Sequence, residues 1–213
     1  MNKLLSLLAA GAALSLATAA FAAPVDDDVA QLQREWEVVK YKTPAAQQEK
    51  QYEALAEKAG KVVATYPNRA EPLVWHGIIV SSLAGARGGL GALGLAKQAK
   101  AQYEAALQIA PNALDGSAYN SLGVLYYKVP GWPVGFGDKA KAKELLQKAL
   151  AINPTGIDAN YFYGEYLIET GKAAEAVPYL ERALAAPARP GRELADSGRR
   201  EEVKALLAKA RAA

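Results

Sequence analysis

The sequence predicts an all-α protein built from stacked antiparallel helix pairs, and two observations carry that expectation. Half of the residues are apolar, 51%, with Ala the commonest, and the apolar positions recur at helical spacing in long runs. A pattern of Gly, then Ala, a large residue four later, Ala three later, then Pro, appears three times. Its copies are Gly77–Ala99–Tyr103–Ala106–Pro111, Gly123–Ala142–Leu146–Ala149–Pro154 and Gly164–Ala176–Leu180–Ala183–Pro187. No stretch reads as a strand array. A Gly inside a helix costs about 1 kcal/mol relative to Ala, so each repeated Gly implies a packing reason, a second helix too close for a Cβ.

Residues 1–22 read as a secretory signal peptide: Lys3, an apolar run from Leu4 to Ala19, and the small-residue ending Ala20-Phe21-Ala22. Cleavage after Ala22 lowers the small formal charge of +3 by one. Residues 23–69 hold N-terminal helices. Asp26 to Asp28 suit the positive end of a first helix, with Val29, Leu32, Trp36 and Val39 on one face up to Tyr41. Thr43-Pro44 starts a second, which ends near Tyr66. Its Leu55, Ala59 and Val62 form a degenerate version of the repeat. Residues 70–187 carry the repeats proper. In residues 188–213, a loop through Gly198 leads to a helix from Arg199 to Arg211, expected to cap the stack with a solvated basic surface.

These spacings resemble the tetratricopeptide family, a helix–turn–helix repeat of about 34 residues. Gly164 to Ala176 is twelve residues, the family's interval; Gly123 to Ala142 is nineteen and Gly77 to Ala99 is twenty-two. The longer intervals place inserted loops in the first two repeats. The resemblance implies a right-handed superhelix whose first helices line a concave groove. Carried over residue by residue, the groove positions are Val74, Ile78, Ser81 and Ser82; Ser117, Asn120, Val124, Tyr127 and Lys128; and Asp158, Tyr161, Glu165, Ile168 and Glu169. The positions that hold the carboxylate-clamping Asn in two repeats of some relatives are Ile78, Val124 and Glu165 here, which leaves Lys128 alone of that set. Asn120, Tyr127, Lys128, Tyr161, Glu165 and Glu169 are the expected partner-binding residues. Trp132 joins them through the loop Val129 to Asp138, which is expected to roof Tyr127, Lys128, Tyr161 and Glu165. The loop is also similar to that of exported bacterial relatives associated with tripartite ATP-independent periplasmic transporters, some of them homo-oligomers with a ligand-conducting pore.

Other constellations are weaker. Gly89-Leu90-Gly91-Ala92-Leu93-Gly94 matches a dinucleotide fingerprint but lacks the strand context such a site needs, and reads as an inserted glycine-rich loop. His76 is the only histidine, and there is no cysteine, so no thiol nucleophile, disulfide or zinc set is expected. Glu165 and Glu169 are a helical i,i+4 pair, usually solvated. The charge is too small to favour nucleic acid. No catalytic residue, metal or cofactor is expected. The expected function is a periplasmic scaffold that binds a protein or peptide in its groove. The alternative is a transport accessory for a small apolar or basic ligand.

Overall fold

The computed structural model describes residues 24–213, so the expected cleavage after Ala22 lies outside the described residues. Those residues form α1 (Pro24–Lys42), α2 (Ala45–Thr65), α3 (Ala70–Arg87), α4 (Gly89–Ile109), α5 (Ala113–Lys128), α6 (Lys139–Ile152), α7 (Ile157–Glu169), α8 (Ala173–Leu184) and α9 (Glu193–Arg211). Among them there is no strand. The helices pack as antiparallel pairs: α1 with α2, α3 with α4, α5 with α6, and α7 with α8.

The repeated glycines sit at the pair contacts for the reason the sequence suggested. A Cβ on Gly77 would lie 2.5 Å from the Tyr103 ring, and one on Gly123 would lie 2.8 Å from Leu146 Cγ. One on Gly164 would lie 2.8 Å from Leu180 Cδ2. The large residue of each second helix therefore fills the space above the Gly of the first. Tyr103, Leu146 and Leu180 are all fully buried.

Two expectations fail for physical reasons. The Gly-rich segment after Gly88 is not a loop. It is the first turn and a half of α4, and the chain reverses at Gly88, whose φ of +65° favours glycine. Leu95 and Ala96 just beyond it pack in the core, and that burial offsets the weak helix propensity of three glycines. The insertion thus lengthens both helices of the first repeat. Likewise α9 starts at Glu193, six residues earlier than expected, and contains Gly198. There the absent side chain admits the Tyr41 ring of α1.

The odd-numbered helices form the inner layer. α1 touches α3, α3 touches α5, α5 touches α7, and α7 touches α9. α9 then returns to α1, so the inner layer closes into a ring. Glu37 and Arg192 form a buried ion pair across this seam, and Lys40 Nζ lies 3.4 Å from Glu202.

The loop between α5 and α6 is pinned at its base. Asp138 N–H donates to Tyr126 O at 2.8 Å and Gly137 N–H to Pro130 O at 2.9 Å. Asp138 also caps α6, its Oδ1 accepting from Ala140 N and Lys141 N. Phe136 packs edge-on against Tyr126, 5.6 Å between centroids.

Candidate functional site

The ring encloses a cleft of about 580 Å³. Each wall follows from a helix face already described. On the α1–α3 side the wall is aromatic: Trp36, Tyr41, Tyr52 and Trp75. Trp36 Nε1–H donates to Ser82 Oγ at 2.8 Å, and Ser82 Oγ–H donates to Ile78 O, which fixes the indole. The α5 face contributes small polar groups, Ser117, Asn120 and Ser121. From α7 come Asp158, Tyr161, Phe162 and Glu165, and from the α9 end Arg189, Arg192, Arg199 and Glu202.

The charges in the cleft are paired rather than loose. Asp158 Oδ1 accepts from Arg199 Nε at 2.8 Å and Oδ2 from Arg189 Nη1 at 2.7 Å. Arg199 also reaches Glu202 at 2.6 Å, and its guanidinium lies over Tyr161 and Phe162 at 4.3 and 4.6 Å. Arg192 lies over Trp75 at 5.0 Å. Lys128 Nζ sits 3.1 Å from Glu165 and is also paired with Glu169. Burial pulls the Lys128 ammonium down, but those two carboxylates outweigh it and keep it cationic. Three lining side chains keep buried polar atoms without a protein partner, the Tyr41 and Tyr52 hydroxyls and Asn120 Oδ1. Burial pushes the Tyr41 phenol up to about 12, so it remains a neutral donor.

Asp158 provides a prediction. Burial alone would raise its pKa, yet the Arg199 and Arg189 guanidiniums outweigh that and hold it at about 2, below the usual 3.8. A depressed carboxylate stabilises the fold above its unfolded pKa and loses that stabilisation as pH falls through the folded value. With its side chain 32% exposed, the contribution after solvent screening is about 1–2 kcal/mol. Stability measured by urea unfolding is therefore expected to fall between pH 4 and pH 2 in the native chain. Asp158→Asn should flatten the part of that slope due to this group; an unchanged slope would contradict the assignment.

The residues expected from the sequence divide into three groups. Asn120, Lys128, Tyr161 and Glu165 all line the cleft, as do Ile78, Ser81, Ser82, Ser117, Val124 and Asp158. Tyr127 stands behind the wall: it is buried, packs edge-on against Tyr166 and donates its hydroxyl proton to Glu165. Glu169 is also outside the lining and engages Lys128. Trp132 does not roof the cleft. Phe136 anchors the loop on Tyr126, Gly135 packs near Leu93 of α4, and Trp132 itself is 90% exposed.

The basic C-terminal segment also departs from a purely solvated cap, since Arg189, Arg192 and Arg199 turn inward. Arg189 and Arg192 precede the start of α9 at Glu193, so no helical periodicity pointed to their inward turn. Trp36 and Tyr41 were missed as lining residues because α1 was read as lying outside the repeats, and Trp75 because its place on α3 is not among the expected groove positions. His76 is buried on α3, outside the lining. Among the described residues no group of three His, Cys, Asp or Glu side chains could hold a metal ion.

A family model described as tetratricopeptide repeat matches residues 134–210, from the loop through α9. The chain has a tetratricopeptide-repeat fold. Among solved structures it is similar to TTC0263, a thermophilic TPR protein in Thermus thermophilus. The match has 20% identity and a TM-score of 0.56, covering 87% of this chain and 89% of that one. At that identity the likeness is one of fold. MamA is also similar, at 20% identity over 77% of this chain and 89% of that one, but its TM-score of 0.45 is too low to add to the argument. No curated protein matches. Tetratricopeptide repeats suggest a protein-interaction scaffold; neither the family match nor these two structures supports the transporter association.

Proposed function

We propose that this chain is an exported scaffold, working in the periplasm, whose concave cleft takes a short segment of a protein partner. The observation that carries the reading is the convergence of Asn120, Lys128, Tyr161 and Glu165, from two successive repeats, on one cleft. Its 580 Å³ falls within the range of about 300–1,000 Å³ usual for ligand sites. Aromatic walls give contact area at low entropy cost, and the Ser117 and Ser121 side chains of α5 line the cleft with small polar groups suited to a peptide backbone. Export rests on the pattern of residues 1–22 and is read by the intact mass of periplasmic material, expected to begin at Ala23.

The contact of α9 with α1 favours a second reading, a small apolar or basic ligand of the kind expected of a transport accessory, because a groove closed at its ends takes a shorter ligand than an open one. One experiment separates the two. Selection from a displayed peptide library is expected to yield binders that Ser121→Trp, which fills the cleft, abolishes at unchanged melting temperature. Binders that survive Ser121→Trp would remove the cleft from this reading. A library that yields none would favour the small ligand.

A further inference from the structure

The exposed tip of the α5–α6 loop is unaccounted for by the cleft. Trp132 is 90% exposed and Val134 61%, whereas the other two tryptophans are buried. The tip is not a slack segment, because its base is pinned by the Gly137–Pro130 and Asp138–Tyr126 hydrogen bonds and by the Phe136–Tyr126 contact. A rigid mount that projects an indole into solvent holds it ready for a surface.

The surroundings of the tip are cationic. Lys139, Lys141 and Lys143 lie at the start of α6, the positive end of the helix dipole, where cations are unfavourable. Asp138 and Glu144 are the carboxylates there, the first with its Oδ1 taken up by the backbone and the second paired with Lys141 and Lys148. Gly131 and Gly137 pair at the loop base, so Trp132 and Lys139 leave the same point. On the other flank, Leu93 lies under Gly135 and Lys100 lies 5.9 Å from the Phe136 ring centre. Lys97 shares that face of α4, four residues after Leu93 and three before Lys100. Lys141 is paired with Glu144 and Lys100 with Glu104. Lys97, Lys139 and Lys143 have no ion-pair partner among the described residues.

We propose that this loop docks the protein on an anionic lipid bilayer, with Trp132 and Val134 entering the headgroup region and Lys97, Lys139 and Lys143 facing the lipid charge. Trp is suited to the membrane–water boundary because its ring is apolar and its N–H can remain hydrated. Lysines near an anionic surface add Coulombic attraction that salt screens. A second copy of the chain is the poorer occupant. One indole and one valine present on the order of 300 Å², against about 800 Å² per partner in a standard stable interface. No helix among the described residues is long and apolar enough to cross a membrane.

The mature chain is titrated with vesicles of phosphatidylglycerol and, separately, phosphatidylcholine, while tryptophan emission and co-sedimentation are followed. Phosphatidylglycerol is expected to shift the emission to the blue and protect it from acrylamide; phosphatidylcholine is not. Trp132→Ser should remove the shift and the sedimentation at unchanged melting temperature, since the ring is exposed. Lys139→Ala and Lys143→Ala should each weaken binding about fivefold at low salt. No shift with phosphatidylglycerol, or undiminished sedimentation of Trp132→Ser, overturns the proposal. So does a shift that appears on concentrating the protein without vesicles, which would assign the tip to a second copy.

Discussion

Glu37→Ala is expected to destabilise the protein by about 3–5 kcal/mol, the cost of leaving a buried charge without its partner. The Glu37 side chain is 5% exposed and that of Arg192 14%, so Arg192 would keep a desolvated guanidinium over the Trp75 face without its paired carboxylate. Chemical denaturation read by circular dichroism checks the magnitude. The double variant Glu37→Leu with Arg192→Met removes both charges and should lose less than either single variant. That non-additivity identifies the effect as an orphaned charge and not as lost packing. A loss below about 1 kcal/mol for Glu37→Ala would mean that the seam is solvated, as surface pairs are.

For Gly164→Leu a loss of about 1–3 kcal/mol is expected, from forcing a side chain into a filled site. The nearest atoms to a Cβ there are Leu180 Cδ2 and Cγ, at 2.8 and 2.9 Å, with the Ala176 carbonyl oxygen at 3.7 Å. Leu180 is fully buried and has no free volume into which to turn. Adding Leu180→Ala should therefore recover part of the loss, although that substitution alone costs about 2–5 kcal/mol. A midpoint unchanged by Gly164→Leu would refute the close approach of α7 and α8. Two independently additive losses would refute the pairing of Gly164 with Leu180.

The helix pairs were legible in the sequence because their determinants are local and repeated. Gly77, Gly123 and Gly164 recur at one register, and each meets the large residue of its own partner helix. The side of the groove contributed by α5 and α7 was legible for the same reason, since neighbouring repeats present equivalent positions together. Helix α4 was misread because Gly89, Gly91 and Gly94 look like loop residues, whereas the burial that keeps them helical comes from Leu95 and Ala96 beyond them. The Arg192–Glu37 seam joins residues 155 apart. No periodicity records such a pair, and the aromatic wall from α1 could not be foreseen without it. Trp132 was placed over the cleft because its loop was expected to roof the groove. The loop packs Phe136 on Tyr126 and leaves Trp132 outside.

The seam between α1 and α9 also changes the statistics of unfolding. An open stack of repeats behaves as a one-dimensional chain of coupled units, whose two end units have one neighbour each and fray first. In this ring every odd-numbered helix has an inner neighbour on both sides. Local opening at either terminus must break a buried ion pair as well as one stacking contact, so the free energy of end fraying moves toward that of global unfolding. A repeat array thereby acquires the cooperativity of a globular domain.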